Sequence, residues 1–349
     1  MNRAALAARL FLVVTLLPAF GAAGYAAYAY RHQPPIPPGT SRQNSSDPRI
    51  SGKPSPGLML GAYALGSDTK GLANFDTKVG HRAVLTVRYM LWGKTFPAKY
   101  VAAAAALGAE TVVELEPRGP TAPTLAQIAS GQQDRWLRKF AREVLGPQDH
   151  FILSFAPEMN GKWYQYGAKY VTGGQYIAAF RHVHDVLAAT RAGRLITFLW
   201  QPSAIHRTTP NPTPYWPGSK YVDEIGLDGY YFYADDNFRR IFGESLKLIR
   251  QVAPDKPMLI GETAAGPEFG HESADIRDLF AGIARNHLLG FIWFDRNQLH
   301  KKYPTKLRKF HQDWYLQDFP VAITSFQAAL ASAGPLASYP LPRKQQPHS

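Results

Sequence analysis

Short apolar runs alternate along the chain with longer segments in which apolar residues recur at helical spacing. The short runs are hydrophobic almost without interruption, which is typical of parallel strands buried on both faces. There are eight such runs: Leu58–Ala64, Ala83–Met90, Thr111–Glu116, Phe151–Pro157, Leu195–Trp200, Glu224–Tyr230, Met258–Gly261 and Phe291–Phe294. None of them resembles an edge strand, so eight strand–helix units predict an α/β fold, a closed TIM (β/α)8 barrel that forms a single domain.

The segments on either side of the predicted barrel differ from it in composition. Residues 1–31 begin with basic residues and continue as an apolar run, which predicts a signal peptide or an N-terminal membrane anchor. Residues 32–56 are rich in Pro and Ser and predict an extended linker. The barrel is then expected over 57–333, with a disordered tail at 334–349. We therefore expect an exported protein that is secreted, periplasmic or anchored to the outer face of the cytoplasmic membrane.

Composition narrows the functional classes. The chain has 349 residues, a formal net charge of +13 and no cysteine, which excludes disulfides, thiolate metal sites and lipoprotein anchoring. Part of the positive charge lies in a basic run at 301–309 and favours an anionic partner or a solvated surface. No nucleic-acid motif accompanies it, so no nucleic-acid partner is predicted. The histidines are not spaced as metal ligands, so we predict no metal site. We also predict that the protein needs no cofactor and is a monomer.

Two glutamates follow strands that should face each other across the barrel mouth. Glu158 lies at the exit of the fourth strand (FILSFAPEMNGKWYQYG) and Glu262 at the exit of the seventh (PMLIGETAAG). Chemistry in such barrels takes place at the C-terminal ends of the strands. Retaining glycoside hydrolysis needs two carboxyl groups about 5–5.5 Å apart. Either glutamate alone is compatible with an ordinary solvated loop, but the two together favour a catalytic pair.

Three motifs resemble glycoside hydrolase family 26. They are PEMNGKWYQYG (157–167), YWPGSKYVDEIGLDGYYF (215–232) and GET (261–263). The resemblance extends over most of the chain from Leu58 to Phe326 and implies a retaining TIM-barrel enzyme of the "4/7" clan. The family contains β-mannanases, mixed-linkage β-glucanases and some β-1,3-xylanases. By this resemblance Glu158 is the general acid/base and Glu262 the nucleophile.

The same resemblance suggests roles for two aromatic residues. Trp163 matches an aromatic residue that lines the sugar subsite at the cleavage point, and Tyr230 matches a tyrosine that hydrogen-bonds the nucleophile. The chain departs from the family pattern at Pro157, because family mannanases usually carry histidine immediately before the acid/base glutamate. Proline cannot donate a hydrogen bond, so this departure bears on the mannan assignment.

Sugar-binding sites combine aromatic platforms with a few fixed polar groups, because sugars have apolar faces and polar rims. The platform candidates at or just past strand ends are Trp163, Trp216 and Trp293. Asn160 is expected to hold substrate or to brace the loop after the fourth strand. Glu116 is expected to orient Arg88 or a substrate hydroxyl, and Asp228 to make a structural hydrogen bond.

The leading hypothesis is a retaining endo-type hydrolase acting on an extracytoplasmic β-linked polysaccharide similar to β-mannan or β-glucan. One alternative is a hydrolase or transglycosylase of the cell's own exopolysaccharide, which the basic run would suit. Another, of a different class, is a non-catalytic carbohydrate-binding barrel. Such a barrel would keep the aromatic residues but would not need both glutamates. If the N-terminal segment is uncleaved, the membrane is an additional partner.

Overall fold

The computed structural model describes residues 57–64, 68–147, 149–296 and 313–339. Eight parallel strands form a closed barrel in sequence order, and β8 pairs with β1. The strands are β1 Met59–Ala64, β2 Leu85–Leu91, β3 Glu110–Glu116, β4 Phe151–Phe155, β5 Ile196–Trp200, β6 Glu224–Asp228, β7 Met258–Thr263 and β8 Gly290–Asp295. The predicted TIM barrel is therefore confirmed, and the predicted strand ends differ from the observed ones by at most two residues.

Helices surround the barrel. They are α1 Lys70–Val79, α2 Ala98–Ala106, α3 Leu125–Ala129, α4 Asp134–Val144, α5 Gly173–Ala188, α6 Phe238–Val252, α7 Glu272–Arg285 and α8 Pro320–Ser332. Helix α5 begins at a capping box in which the Thr172 hydroxyl accepts from the Gln175 N–H, and the Gln175 side chain accepts from the Thr172 N–H. These bonds satisfy donors that a helix start leaves free. The long loop after β5 contains a single 3-10 turn, Thr213–Tyr215.

Two apolar clusters follow from the alternation of side chains along each strand. The cluster inside the barrel contains Met59, Leu85, Val87, Val112, Ile152, Leu199, Leu259 and Ile292. The residues between these positions face outward and form the larger cluster under the helices. Position within a strand therefore decides whether a side chain faces the barrel interior or the helix layer.

Strand β7 carries one extra residue near its C-terminal end. Gly226 of β6 pairs with Leu259 and Asp228 pairs with Glu262, so three steps along β7 match two along β6. The pairing of β7 with β8 shows the same irregularity. A bulge of this kind re-aims the side chain that follows it. Regular alternation from the inward-facing Leu259 would turn Glu262 toward the helices, whereas the bulge turns it into the barrel.

The chain after α8 returns to the N-terminal end of the barrel. Leu336 forms a parallel bridge with Leu58, and the Tyr339 hydroxyl donates to Glu224 Oε1 over 2.8 Å. Tyr339 is buried and extends the inner cluster. The prediction of a disordered tail from 334 is therefore wrong for 334–339, because the sequence pattern did not reveal that Tyr339 has a buried partner.

The predicted export segment 1–31, the linker 32–56, the basic run 301–309 and the rest of the tail lie outside the described residues. Within the described ranges, no helix combines the length and the apolar character that crossing a bilayer requires.

Candidate active site

Glu158 lies in a tight turn after β4. Its N–H donates to the Gln201 carbonyl over 2.7 Å, and its own carbonyl accepts from Gly161 over 2.8 Å. Ala156 and Glu158 have φ values of 48° and 54°, a left-handed conformation that is strained for residues other than glycine. Pro157 stands between them, with its own φ restricted by its ring. The turn is held by these bonds, and Glu158 is only 5% exposed.

The indole of Trp163 contacts the Glu158 carboxyl directly. Its Nε1–H donates to Glu158 Oε2 over 2.9 Å. Gly161 permits this approach, since a Cβ at that position would lie 2.3 Å from the Trp163 ring. The structure thus places Trp163 beside Glu158, and its role in a sugar subsite stays a prediction.

Two phenols hydrogen-bond the Glu262 carboxyl, one at each oxygen. The Tyr230 hydroxyl donates to Oε2 over 2.6 Å, and the Tyr89 hydroxyl donates to Oε1. Tyr230 lies just after β6, and its ring stacks on Trp314 at 4.7 Å. Tyr89 lies on β2, and its side chain points into the barrel. Because hydrogen bonds to a carboxylate favour its ionised form, this arrangement suits a group that must be negatively charged to react.

Below the two glutamates, a layer of buried polar side chains fills the barrel. Gln201 Nε2 donates to Glu114 Oε1 over 2.8 Å and to both carboxyl oxygens of Asp228 over 3.1 Å. The expected structural hydrogen bond at Asp228 is therefore present. Gly261 leaves room for the layer, since a Cβ there would lie 2.5 Å from Asp228 Oδ1. Burial, followed by the charge of Glu262, raises the pKa values of Glu114 and Asp228 well above their ordinary range.

The two candidate catalytic carboxyls both have raised pKa values. Burial and then the charge of Glu262 raise the pKa of Glu158 to about 8. Burial raises the pKa of Glu262 to about 7, although the hydrogen bonds from Tyr230 and Tyr89 lower it. Two phenols donate to Glu262 and one indole donates to Glu158, so the hydrogen bonds favour ionisation of Glu262 first, the order that a nucleophile and an acid require. An ordinary or depressed pKa at Glu262, the simplest expectation for a nucleophile, is wrong for this structure because the carboxyl is fully buried.

Part of this site, including Glu158 and Glu262, lies in a segment that matches a known family. Residues 150–318 match the family model of glycosyl hydrolase family 26. Over 295 residues the chain is 23% identical to endoglucanase H of Acetivibrio thermocellus, an alignment that covers 79% of this chain and 31% of that protein. The match to the family model covers just under half of the chain, which therefore resembles glycosyl hydrolase family 26. The chain spans less than a third of the length of endoglucanase H.

Solved structures of family 26 share the fold. A double mutant of the Cellulomonas fimi endo-β-1,4-mannanase superposes with a TM-score of 0.62 at 15% identity, over 80% of this chain and 71% of that one. A β-mannanase from Bacteroides ovatus gives a TM-score of 0.59 at 15% identity, over 84% and 95% of the two chains. At this level of identity the solved structures show a shared fold, and the family model carries the resemblance to family 26.

One of the predicted aromatic platforms, Trp293, is not at the site. Trp293 is fully buried, its Nε1–H donates to the Trp314 carbonyl over 3.3 Å, and its ring meets Phe326 of α8. It alternates with Ile292, which faces the barrel interior, so Trp293 faces the helices. The prediction that Trp293 binds sugar is therefore wrong. The period of two along β8 would have excluded it from the sequence alone.

Asn160 braces the loop after β5. Its Nδ2 donates to the carbonyls of Ser203 and Pro210 over 2.7 and 2.8 Å, and its Oδ1 accepts from the Ser203 N–H over 2.9 Å. Asn160 is also completely buried. Of its two predicted roles, the structure supports the bracing role and contradicts substrate binding.

Glu116 and Arg88 do not form the predicted pair. Glu116 is buried and forms an ion pair with Arg118 at 2.8 Å. The Arg88 guanidinium lies over the ring of Tyr100 on α2, 5.3 Å from its centroid. These two residues occupy alternate faces of the barrel wall, because Arg88 alternates with the inward-facing Val87 and Tyr89 along β2. The predicted orientation of Arg88 by Glu116 is wrong for that reason.

Trp216 is partly buried in the loop between β5 and β6. Its ring contacts the edge of Trp200 at 5.0 Å, and Trp200 is fully buried on the outward face of β5. A platform role for Trp216 stays a prediction.

Sequence reasoning missed three polar residues of the site: Tyr89, Glu114 and Gln201. Tyr89 and Glu114 lie within strands and become visible when each strand is divided into its two faces, and Gln201 directly follows β5 on the inward-facing row of Leu199. Tyr89 lies two residues after Val87, and Glu114 two residues after Val112, so both continue an inward-facing row. In the ranges that the structure describes, no three His, Cys, Asp or Glu side chains are arranged to hold a metal ion.

Proposed function

We propose that this chain is a retaining, endo-acting β-glycoside hydrolase that cleaves a β-linked polysaccharide outside the cytoplasm. One observation carries this proposal. Glu158 and Glu262 are buried at the C-terminal ends of β4 and β7, and each has its own set of donors. Two neighbouring carboxyls with different environments are what an acid and a nucleophile need.

In the first step Glu262 attacks the anomeric carbon, and the bond to the leaving oxygen breaks. Glu158 gives its proton to that oxygen, so the departing sugar leaves with a neutral hydroxyl. The products of this step are a glycosyl ester on Glu262 and an ionised Glu158.

In the second step Glu158 acts as a base. The ester has removed the charge of Glu262, so the electrostatic contribution that raised the pKa of Glu158 is gone. Glu158 takes a proton from water, the water oxygen attacks the anomeric carbon, and Glu262 leaves as a carboxylate. Two displacements at one carbon return the original configuration.

The substrate class rests on the relatives. One is named an endoglucanase and others are named mannanases, which supports an internally cleaved polymer of β-glucan or β-mannan type. Pro157 stands where family mannanases usually carry histidine, so β-glucan is the first polymer to test. The location outside the cytoplasm is supported by the apolar and basic pattern of residues 1–31.

The test is to incubate the chain with β-mannans, β-1,4-glucans, mixed-linkage β-glucans and an exopolysaccharide from the source cell, and to identify products by mass spectrometry. An endo-acting enzyme releases a series of oligosaccharides at early times, and proton NMR of the fresh products shows the β-anomer if configuration is retained. Initial release of the α-anomer would refute the double displacement. Binding without release of products would support a non-catalytic barrel instead.

A further inference from the structure

Tyr89 contacts the candidate nucleophile from a different side than Tyr230. Its hydroxyl donates to Glu262 Oε1, while Tyr230 donates to Oε2. We propose that Tyr89 is a second positioning residue for Glu262, whose phenol keeps that carboxylate ionised and correctly oriented for attack. The inference rests on the proposed function, because it assigns Tyr89 to the reaction proposed for Glu262.

The Tyr89 ring is fixed by its neighbours. It continues the inward-facing row of β2 after Val87 and meets the edge of Tyr63 from β1 at 5.0 Å. Tyr63 in turn stacks on Phe294 of β8 at 4.8 Å. The Tyr63 ring, itself held by Phe294, therefore limits the freedom of the Tyr89 ring to turn away. Tyr89 therefore restrains Oε1 in a definite direction.

The charges around Glu262 show why one phenol is insufficient. Carboxyl groups reach the interior from β3, from the end of β4 and from β6: Glu114, Glu116, Glu158 and Asp228. The nearby cations are Arg118, which forms an ion pair with Glu116 at 2.8 Å, and Arg88 and Arg296, which both act on the Tyr63 phenol. Buried like charges disfavour ionisation of Glu262. The hydrogen bonds from Tyr230 and Tyr89 oppose this effect.

Tyr89 is able to remain a donor throughout the working pH range. Burial, followed by the charge of Glu262, raises the pKa of its phenol well above the ordinary value. The proton therefore stays on Tyr89, and the shared hydrogen bond stabilises the charged form of Glu262. Removal of the hydroxyl leaves a buried carboxylate oxygen without this donor, which disfavours ionisation in the free enzyme and departure of the carboxylate in the second step.

The test compares three tyrosine variants. Tyr89→Phe and Tyr230→Phe each remove one donor to Glu262 and keep the ring. Tyr100→Phe is the matched control, because its buried hydroxyl bonds to Thr86 Oγ1 at 2.9 Å on the outward side of β2. The pH dependence of kcat and kcat/KM is measured on an aryl β-glycoside. The titration of Glu262 is followed separately by NMR of enzyme with ¹³C-labelled glutamate carboxyls, assigned with Glu262→Gln.

We expect Tyr89→Phe to lower kcat/KM about ten- to a hundredfold, the range for loss of a hydrogen bond to a charged group. The acidic limb and the Glu262 titration should both move upward by about one pH unit. Tyr230→Phe should shift them in the same direction, and Tyr100→Phe should not. Superimposable Glu262 titrations for Tyr89→Phe and Tyr100→Phe would overturn the inference, even if kcat falls.

If Tyr89→Phe folds poorly, a second substitution that should shift the Glu262 titration in the opposite direction tests the same contact. Replacement of Tyr89 by 3-fluorotyrosine keeps the ring and makes the hydroxyl a stronger donor, so the Glu262 titration should move downward. An unchanged titration with this residue would contradict the proposed hydrogen bond. The NMR measurement needs no turnover, so it separates the contact from the proposed function. An upward shift of the Glu262 titration in Tyr89→Phe would support the Tyr89–Glu262 contact. If the native protein hydrolysed no glycan at the same time, the proposed function would be disproved.

Discussion

The two ends of the barrel each contain a buried glutamate that accepts a hydrogen bond from a tyrosine. At the C-terminal mouth Tyr230 donates to Glu262 over 2.6 Å, and at the N-terminal end Tyr339 donates to Glu224 over 2.8 Å. Burial is the main cause of the shift in both cases, and the pKa of each carboxyl is raised to about 7. Taken one residue at a time, the two sites are nearly indistinguishable.

Their surroundings differ. Glu224 is covered by the chain segment that carries Tyr339, and nearby His150 is bonded to Glu110 and Thr197. Glu262 instead lies at the end of the barrel where such folds carry out chemistry, with Glu158 close enough for their charges to interact. The comparison shows that a perturbed pKa alone does not identify a catalytic carboxyl. A second carboxyl at the mouth with a different set of donors is the informative feature.

The sharpest test of this contrast removes each glutamate in turn. We expect Glu262→Ala to reduce turnover of polysaccharide by a factor of about 10⁴ or more, because the proposed glycosyl ester forms on the Glu262 carboxyl. Added azide should not restore products of retained configuration. Glu224→Gln should keep the native kcat when initial rates are measured. A comparable loss of rate in both variants would contradict the assignment of catalysis to the C-terminal mouth alone.

The next largest effect is expected at Glu158. Glu158→Gln should lower turnover of polysaccharide about 10²- to 10⁴-fold, since the leaving oxygen then departs without a proton. Activated aryl glycosides need no such proton, so their glycosyl-enzyme should still form in a burst. The bell-shaped profile of the native enzyme should lose its basic limb in this variant, because that limb reports Glu158. Survival of the limb would assign the acid to another group, of which Glu116 is the first candidate.

A stability effect is expected at the N-terminal end. The folded-state pKa of Glu224 is raised from 4.5 to about 7, so the folded state binds the proton more tightly than the unfolded chain does. Its contribution to stability is fully present below pH 4.5 and is lost as the pH rises through 7. Relative to the native protein, Glu224→Gln should gain about 2.5 kcal/mol in unfolding free energy between pH 5 and pH 8. Denaturant unfolding at both pH values measures this, and a constant difference would contradict the raised pKa.

The smallest expected effect is that of Tyr339→Phe. Loss of one buried hydrogen bond should lower the free energy of unfolding by about 1 kcal/mol at pH 5, where Glu224 is mostly protonated. The pH profile of kcat/KM should be unchanged, in contrast to Tyr230→Phe. A shifted acidic limb in Tyr339→Phe would show that the two ends are coupled, and that the segment around Tyr339 acts on the reaction.

Much of the architecture was predictable because it depends on pattern. The hydrophobic runs located all eight strands, and the positions of Glu158 and Glu262 after two of them indicated a paired-carboxyl site. The prediction that Trp293 forms a sugar platform is wrong because a residue near a strand end can face either side of the barrel wall. Asn160 failed as a substrate ligand because its bonding capacity is taken up by the backbone of Ser203 and Pro210, which are distant in sequence.

The sequence by itself determined the fold class, the resemblance to family 26 and the two carboxyls at the mouth, since each of these follows from local periodicity or from contiguous motifs. The tertiary structure decided where those side chains point and which groups contact them. A single extra residue in β7 turns Glu262 inward, and neither a helical nor a strand period reveals such a bulge. The partners of Glu262 come from β2 and from the end of β6, 173 and 32 residues away in sequence. Contacts of this kind arise only when the barrel closes.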